Sequence, residues 1–340
     1  MKIGLTYDLK DEVPVGADAP DDSQEEFDSP VTINGIADVL RSLGHEVILL
    51  GDGKPFLEKV LKNPPDLVFN FAEGHGIGRS REARVPAVLE MLNIPYTGSD
   101  PLTCAVTLDK DCAKRVVASA GVIVPKGLLL HPDDPVEGIE NHPDFPGYPC
   151  LLKPAWEGSS KGIRSRCLVD TPAEMQDVIA FLRKDHRQPI LLEEYVPGEE
   201  LTVGLVGNGT PTILGIMRVV PLKKEERFIY SLEVKRGWKE RVRYECPPQL
   251  PLPYLEAVKE SALKAFRVLG CRDVARIDFR LREGVPVFLE VNPLPGLNPE
   301  TSDLVFLARF MKWSYTDLIK AILESAQERS GLKAPSRHHK

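Results

Sequence analysis

The segment VARIDFRLREGVPVFLEVNPLPG, residues 274–296, holds two apolar runs on either side of a short polar turn. We interpret it as an antiparallel hairpin with a three-residue loop at 283–285, which places Asp278 directly opposite Glu290. Asn292 lies two residues after Glu290 and shares its face of the strand. Three oxygen-bearing side chains therefore converge, and two facing carboxylates repel each other unless a cation lies between them or one is protonated.

This oxygen set predicts a site for Mg²⁺, or Mn²⁺, formed by Asp278, Glu290 and Asn292, because hard cations prefer carboxylates together with nucleotide phosphates. Arg276 shares the face of Asp278 and is either a salt-bridge partner or a donor to charge developing on a reacting oxyanion. The alternative is an exposed hairpin with acidic decoration. A two-residue loop would shift the register and put Asp278 on the other face.

The composition of the whole chain narrows the class of protein. Its 340 residues exceed the usual size of one domain, so two or three domains that share a cleft are expected. A net charge of -7 disfavours nucleic acid as a partner. The six cysteines include no CxxC pair, so neither a zinc site nor a disulfide framework is expected. No signal peptide or membrane span is predicted, and we expect a cytoplasmic protein.

Hydrophobic patterns divide the chain into three parts. Strands and helices alternate over the first hundred residues, which predicts a parallel sheet covered by helices. A helix near 107–122, a Pro-rich stretch at 131–149 and the strand PCLLKP suggest a smaller middle domain. The last third contains several strand patterns and one clear helix, YLEAVKESALKAFRVLG, and is predicted to be α+β with a mainly antiparallel sheet.

A Gly/Ser loop follows Lys153 in LLKPAWEGSSKG. Small residues let backbone N–H groups approach phosphate oxygens, although the signal is weak by itself. The same letters fit the G-x-S-x-G nucleophile elbow at Ser160, which needs an acid and then a histidine further along the chain. Only His186 and the histidines at 338 and 339 follow, and none is suitably placed, so a hydrolase is not favoured.

Two further segments allow two interpretations each. FAEGHGIGRS, residues 71–80, lacks the spacing of a dinucleotide fingerprint but, with Arg79, Arg81 and Arg84, is either an anion site or an ordinary strand-to-helix turn. The charged segment 221–245 is either a solvated excursion or a mobile basic loop over an anionic substrate.

Taken in order, TLDKDCAKRV, LLKPAWEGSSKG, LLEEYVPGEE, ARIDF and LEVNPLPG resemble the ATP-grasp ligases, and specifically the D-alanine:D-alanine ligase family. MLNIPYTGSDPLTCAVTLDK is also similar to that family. The resemblance implies an ATP-grasp fold that combines α/β and α+β parts, with the ATP cleft between the second and third of three domains. We place these domains at 1–99, 100–190 and 191–325, with a loose tail at 326–340.

The resemblance also implies the chemistry. One carboxylate attacks the γ-phosphate of ATP, and the resulting acyl phosphate is attacked by the amine of a second amino acid. Lys110 and Lys153 would bind phosphates, under a loop that contains Glu157, Gly158, Ser159 and Ser160. The adenine would be contacted by Glu193, Glu194 and Val196, and the ribose would be bound by Glu200. The oxyanion would be stabilised by Arg276 and the Gly296 amide, and Lys235 would contact the γ-phosphate. Asp28 and Ser159 would bind an amino acid.

Four departures from the family pattern concern the amino-acid substrates. Asp28 stands where a glutamate is expected, Arg236 replaces a tyrosine, GRSREAR replaces GEDG, and NPETSDL replaces the TSxSL region. Added arginines at 79, 81, 84 and 236 are candidates for binding an acidic or larger substrate. We therefore expect a ligase for cell-wall D-alanyl-D-alanine, a ligase for other amino acids or peptides in specialised metabolism, or a nucleotide-binding protein without catalysis. A homodimer is also implied by the resemblance.

Overall fold

The first hundred residues form a parallel sheet, as the alternating pattern predicts. The central strand β1 (Lys2–Leu5) pairs with β2 (Glu46–Leu49) on one side and β3 (Leu67–Phe69) on the other. The helices of this part are α1 (Pro30–Ser42), α2 (Gly53–Lys62) and α3 (Arg84–Met91), the last preceded by a 3₁₀ turn at Arg81–Ala83. Gly44 has φ +86° just after α1, where the sequence predicts the helix to stop. The short helix α2 buries only Phe56 and Val60, and the apolar pattern did not predict it.

The computed structural model of the chain describes residues 1–13, 16, 19–223 and 226–332. Further 3₁₀ turns lie at Lys10–Glu12, Ile139–Asn141 and Ser165–Cys167. None of the helices in these ranges combines the length and apolar character needed to cross a membrane. All six cysteines are free, and four of them are buried.

The middle of the chain forms a four-stranded antiparallel sheet in the order β4-β7-β5-β6. Its strands are β4 (Gly127–Leu130), β5 (Cys150–Pro154), β6 (Leu168–Val169) and β7 (Ile190–Glu194). The helices here are α4 (Pro101–Leu108), α5 (Lys110–Ser119) and α6 (Pro172–His186). Because β7 pairs with β4 and β5, the expected boundary at residue 190 cuts through this sheet. The placement of ILLEEYV in the last third is therefore wrong.

The last third contains a five-stranded antiparallel sheet in the order β10-β9-β8-β11-β12, as the strand patterns predict. The strands are β8 (Glu199–Val206), β9 (Thr212–Pro221), β10 (Val242–Glu245), β11 (Val274–Arg282) and β12 (Val285–Asn292). Helix α9 (Leu252–Leu269) packs against one face of this sheet. The charged segment between β9 and β10 contains the short helices α7 (Leu232–Arg236) and α8 (Trp238–Arg241).

The hairpin of β11 and β12 has the predicted acidic pairing but a different turn. Arg282 pairs with Val285, so the loop has two residues, and both Glu283 (φ 51°) and Gly284 (φ 86°) adopt the left-handed conformation. The predicted three-residue loop is therefore wrong. Phe279 pairs with Phe288 while Asp278 pairs with Glu290, so Leu289 is an extra residue on β12. This β-bulge returns Asp278 and Glu290 to opposite positions.

Two helices after the hairpin return the chain to its first sheet. Helices α10 (Asp303–Phe310) and α11 (Tyr315–Arg329) share a buried core with β1, α1 and β3. Helix α11 continues to Arg329, so the loose tail predicted from residue 326 begins too early. Residues 333–340 of that tail lie outside the described residues.

Candidate functional site

A cleft of about 820 Å³ opens between the four-stranded and five-stranded sheets. We call this space the inter-sheet cleft. Side chains from β5, β7, β8, β11 and β12 line it, so both sheets contribute to its walls. The structure brings nine of the predicted site residues to this cleft: Lys153, Ser160, Glu194, Val196, Glu200, Lys235, Arg276, Asp278 and Glu290.

The acidic pair of the hairpin lies beside a buried guanidinium. Arg276 Nη2 is 3.0 Å from Asp278 Oδ2 and 3.7 Å from Glu290 Oε1. Burial raises the pKa of Glu290, but the nearby cations, Lys110 and Arg276 first among them, outweigh it and lower that pKa to about 2. Glu290 is therefore ionised at any physiological pH.

The donor set at this hairpin fits a hard divalent cation. Asp278 and Glu290 are cross-strand partners, and Asn292 lies opposite Arg276 on the same strands. Thr202 donates its hydroxyl to Asp278 Oδ1 at 2.8 Å, which fixes the orientation of that carboxylate. The side-chain oxygen of Asn292 accepts the Leu294 N–H at 3.0 Å. Two carboxylates and an amide oxygen are ligands suited to Mg²⁺.

A buried group of lysines lies behind these carboxylates. Lys110 Nζ is 3.4 Å from Glu290 Oε2, and Lys153 Nζ is 2.7 Å from Glu193 Oε2. The other oxygen of Glu193 contacts Lys114. The carboxylate of Glu193 therefore holds two lysines and does not line the inter-sheet cleft.

Sequence reasoning missed Lys114, although a signal was available. It follows Lys110 by one helical turn on α5, so the two side chains share a face. Burial, and then the neighbouring Lys153, lower the pKa of Lys114 well below its usual range. Burial is also the largest cause that lowers the pKa of Lys153, to about 8.

The Gly/Ser loop at 157–162 is held by hydrogen bonds to carboxylates of the segment that precedes α1. Glu26 accepts the Gly158 N–H at 2.9 Å, and Asp22 accepts the Gly162 N–H at 2.9 Å. Ser159 (φ 50°) and Ser160 (φ 61°) both adopt the left-handed conformation that favours glycine. The loop is therefore a constrained structure in which Ser160 lines the inter-sheet cleft and Ser159 faces away from it into neighbouring spaces.

The arginines of GRSREAR each have a partner within the protein, and their predicted role in binding an acidic substrate stays a prediction. Arg81, with 1% of its side chain exposed, lies 2.7 Å from Glu26 and 3.1 Å from Glu157. Arg79 Nε pairs with Asp109 Oδ2 at 2.7 Å, and Arg84 donates to the His75 carbonyl at 2.8 Å.

The fourth added arginine, Arg236, is tied to the segment that precedes α1. Its guanidinium lies 2.8 Å from Asp21 Oδ2 and 2.6 Å from Glu25 Oε1. Helix α7, which contains Arg236, is thereby joined to the same segment as the Gly/Ser loop. Neighbouring Lys235 points to the inter-sheet cleft, and burial followed by Arg276 lowers its pKa.

A second space of about 1200 Å³ adjoins the cleft, and we call it the polar chamber. Arg276, Lys235, Tyr230 and Asp303 line both spaces. Burial raises the pKa of Asp28, in the chamber wall, to about 7. The predicted residues that meet in this chamber are Asp28, Ser159, Lys235, Arg276, Asn292 and Gly296.

The proline-rich loop after β12 forms one wall of the chamber and is anchored at several points. Tyr315 donates its hydroxyl to the Leu297 carbonyl at 2.9 Å, and the Asn298 side chain donates to Thr32 at 3.0 Å. Ser302 accepts the Asn298 N–H at 2.8 Å. These contacts fix the backbone around Gly296.

A smaller recess beside the chamber contains carboxylates that sequence reasoning missed. Glu73 and Glu82 line it together with Lys110, Gly158 and Asn292. Burial is the main cause that raises the pKa of Glu73 well above its ordinary value and that of Glu82 to about 7. Glu73 lies within the FAEGHGIGRS segment, and Glu82 follows it by two residues. The interpretation of that segment depended on its glycines and arginines.

Arg280 was also missed. It pairs with Glu200 at 2.9 Å and donates to the Gly198 carbonyl at 2.9 Å, so it supports a predicted ribose ligand from behind. Alternate residues of β11 share a face, and Arg276, Asp278 and Arg280 follow that spacing. The pattern was visible in ARIDFR.

Comparisons with known proteins agree with this arrangement. A family model described as "D-ala D-ala ligase C-terminus" matches residues 118–324. A D-alanine--D-alanine ligase of Aquifex aeolicus is 33% identical over 304 residues, covering 88% of this chain and 96% of that protein. The uncharacterized protein y4sG of Sinorhizobium fredii is 32% identical over 305 residues, covering 87% of each chain.

The fold agrees with a solved structure as well. The crystal structure of D-alanine--D-alanine ligase from Bacillus anthracis complexed with ATP superposes with a TM-score of 0.73, at 22% identity. The superposition covers 97% of this chain and 99% of that one. The ATP-grasp fold expected from the motifs is therefore confirmed.

Proposed function

The chain belongs to the D-alanine–D-alanine ligase family, and from this premise we propose that it uses ATP to join the carboxylate of one amino acid to the amine of another. The reaction forms ADP and phosphate. The observation that carries this proposal is the junction of the inter-sheet cleft and the polar chamber at Arg276 and Lys235. A nucleotide in the cleft and an acyl group in the chamber would meet at these two cations.

In this proposal the inter-sheet cleft holds ATP. Lys110 and Lys153 bind its phosphates, and the loop with Glu157, Gly158, Ser159 and Ser160 covers them. Glu194 and Val196 lie where the adenine is expected, and Glu200 accepts from the ribose. Glu193 acts indirectly, because its carboxylate positions Lys114 and Lys153.

Asp278, Glu290 and Asn292 would hold Mg²⁺ or Mn²⁺. The ion, when bound, would neutralise phosphate charge and orient the phosphates. Thr202 and Arg276 orient Asp278 whether or not the ion is present. Lys235, beside Arg276, contacts the γ-phosphate in this proposal.

The reaction has two steps. An oxygen of the donor carboxylate attacks the γ-phosphorus, and the bond from phosphorus to the bridging oxygen of ADP breaks. The neutral amine of the acceptor then attacks the acyl carbon, loses a proton and expels phosphate. Arg276 and the Gly296 N–H donate to the oxyanion that forms at the acyl carbon, and the anchored loop around Gly296 keeps that N–H in position. Asp28 and Ser159 orient the donor amino acid.

A substrate other than D-alanine is the second candidate, and the chamber supports it. Arg236, Glu25 and Trp238 form part of the wall, so its chemistry combines charge with an aromatic surface. The division into three domains and a homodimer also stay predictions. Light scattering of the purified protein tests the second of these.

The experiment combines purified protein, ATP and Mg²⁺ with D-alanine, then with pairs from a panel of other amino acids and dipeptides. Phosphate release and the mass of the product are measured. The matched control is Glu290→Gln, which excludes a contaminating ATPase. Release with D-alanine supports the cell-wall reaction, whereas release only with other pairs supports the second candidate. ATP binding without release for any pair would instead identify a binding protein and contradict the proposal.

A further inference from the structure

Three side chains meet at the carboxyl ends of the parallel strands of the first sheet. Asp8 follows β1, Asp52 follows β2 and His75 follows β3. One ligand atom of each residue lies within 4.8 Å of those of the other two. The carboxyl edge of a parallel sheet is a common place for ligands, because the loops there converge.

Burial and orientation distinguish this group from acidic residues on a surface. The Asp8 side chain is only 1% exposed, and its Oδ1 has no hydrogen-bond partner among the described residues. That oxygen lies 2.6 Å from His75 Nε2, which also lacks a hydrogen-bond partner in the described part of the chain. The two atoms are close, but no N–H of the imidazole is aligned with the oxygen, so neither atom is satisfied by a hydrogen bond.

Neighbouring contacts hold the ligands in place. The other oxygen of Asp8 accepts the Gly74 N–H at 3.0 Å, and Arg84 donates to the His75 carbonyl at 2.8 Å. Asp52 is only partly buried, so its side chain is less enclosed than that of Asp8. Atoms that share one zinc ion lie at most about 4.2 Å apart, twice the bond length, so a small rotation completes the set.

We propose that Asp8, Asp52 and His75 bind a divalent transition metal of the Zn²⁺ type, at a site separate from the Asp278 and Glu290 pair. One imidazole nitrogen and two carboxylates favour zinc over magnesium, which prefers oxygen ligands alone. Three protein ligands leave the remaining coordination positions to water. Spacing along the chain does not reveal the cluster, because the sheet brings together loops that are distant in sequence.

The site lies beneath the polar chamber. The ring of Phe27, a chamber residue, packs edge-on against His75 with 5.5 Å between ring centroids. The Asp28 N–H donates to the Asp8 carbonyl at 3.0 Å. A bound cation would therefore join the three strand ends to the segment that contains Asp28.

The test measures zinc binding to the full-length protein by calorimetry, after treatment with a chelator. Nucleotide is left out, and excess Mg²⁺ occupies sites made of oxygen ligands. We expect one zinc equivalent in the wild type and at least about tenfold weaker binding in His75→Gln and Asp8→Asn. His142→Gln is the matched control, because His142 is exposed, lies 3.9 Å from Asp144 and is not in the cluster.

Thermal unfolding provides a second readout that does not depend on activity. Zinc should raise the Tm of the wild type and of His142→Gln but not that of His75→Gln. His75 is partly exposed, so its variant should fold even if the buried change at Asp8 prevents folding. Equal zinc binding in the wild type and in His75→Gln would point to the free cysteines and overturn the proposal. Absence of zinc binding to the wild type would overturn it too, whereas neither result bears on ligase activity.

Discussion

Glu290 belongs to both the inter-sheet cleft and the small recess, and it faces Lys110 and Arg276. Its replacement by glutamine removes a charge that is present at every working pH. We expect phosphate release to fall at least about a hundredfold, since loss of this proposed metal ligand would remove several kcal/mol of charge stabilisation. The assay is ADP formation at a temperature where circular dichroism shows that the variant is folded.

The control for this prediction is Glu260→Gln. Glu260 is exposed on α9 and pairs with Lys264 at 2.8 Å, so the change is chemically identical but distant from the site. Exposed pairs of this kind contribute little to stability. Similar losses of activity in both variants would contradict the role of Glu290.

The pKa of Lys153 predicts that kcat/KM for ATP depends on pH. Its pKa is about 8, mainly because burial disfavours the charged form, so the positive charge is present below that pH and is lost above it. We expect kcat/KM for ATP to fall as the pH rises through about 8, because the phosphates lose a cation. Lys153→Arg should move this fall to higher pH, since arginine stays charged. A profile that is the same in both proteins would contradict the assignment.

Strand alternation placed Arg276, Asp278 and Glu290 on one face of the hairpin, whereas the resemblance to the ligase family supplied most of the other predicted residues of the inter-sheet cleft. The contacts of Glu193 with two lysines from other elements could not be predicted from the alternation along β7. Glu73 and Glu82 were missed because their raised pKa values come mainly from burial, which the local sequence does not show. Burial and charge partners are properties of the folded chain.

Among the structural elements, the Gly/Ser loop depends on one buried side chain in another part of the fold. Arg81→Met would leave Glu26 and Glu157 with less compensating charge, and we expect the free energy of unfolding to fall by about 3–5 kcal/mol. Urea denaturation followed by circular dichroism measures the change.

Arg79→Met is the matched control two residues away. Its side chain is 56% exposed and pairs with Asp109, so the expected change in unfolding free energy is small. A loss in Arg79→Met as large as that in Arg81→Met would mean that the buried network is not the cause.

The hairpin illustrates what local sequence determines and what it does not. Alternation correctly indicated that Asp278 and Glu290 face each other, but the turn was assigned one residue too many. Glu283 and Gly284 are compatible with a two-residue turn, and the bulge at Leu289 restores the pairing. A bulge has no strong sequence signal when the extra residue is an ordinary leucine. The shorter turn and the bulge compensate for each other, so the sequence pattern could not show either of them.

At the scale of the molecule, α11 connects the end of the chain to its beginning. Leu318 is fully buried in the core that contains Ile3, Ile36 and Phe69. Leu318→Ala should lower the free energy of unfolding by about 2–5 kcal/mol, and a single transition should be seen with fluorescence and circular dichroism.

Leu61→Ala is the control, because Leu61 is also a helical leucine but is 65% exposed. Its expected effect is within about 0.5 kcal/mol. If Leu318→Ala instead produced two separate transitions, the first sheet and α11 would not form one cooperative unit. The contact between α11 and the first sheet could not be predicted, since an amphipathic pattern does not show which sheet a helix covers.

The segment that precedes α1 holds two separate elements at the site, the Gly/Ser loop and helix α7. Glu26 and Asp22 grip the Gly/Ser loop, while Asp21 and Glu25 grip helix α7 through Arg236. Movement of this one segment would therefore release the Gly/Ser loop and helix α7 together. The nucleotide and the amino acids would then gain or lose access at the same time. In the proposed ligation, this shared attachment would let ADP and peptide leave in the same opening and would shield the acyl phosphate from water until then.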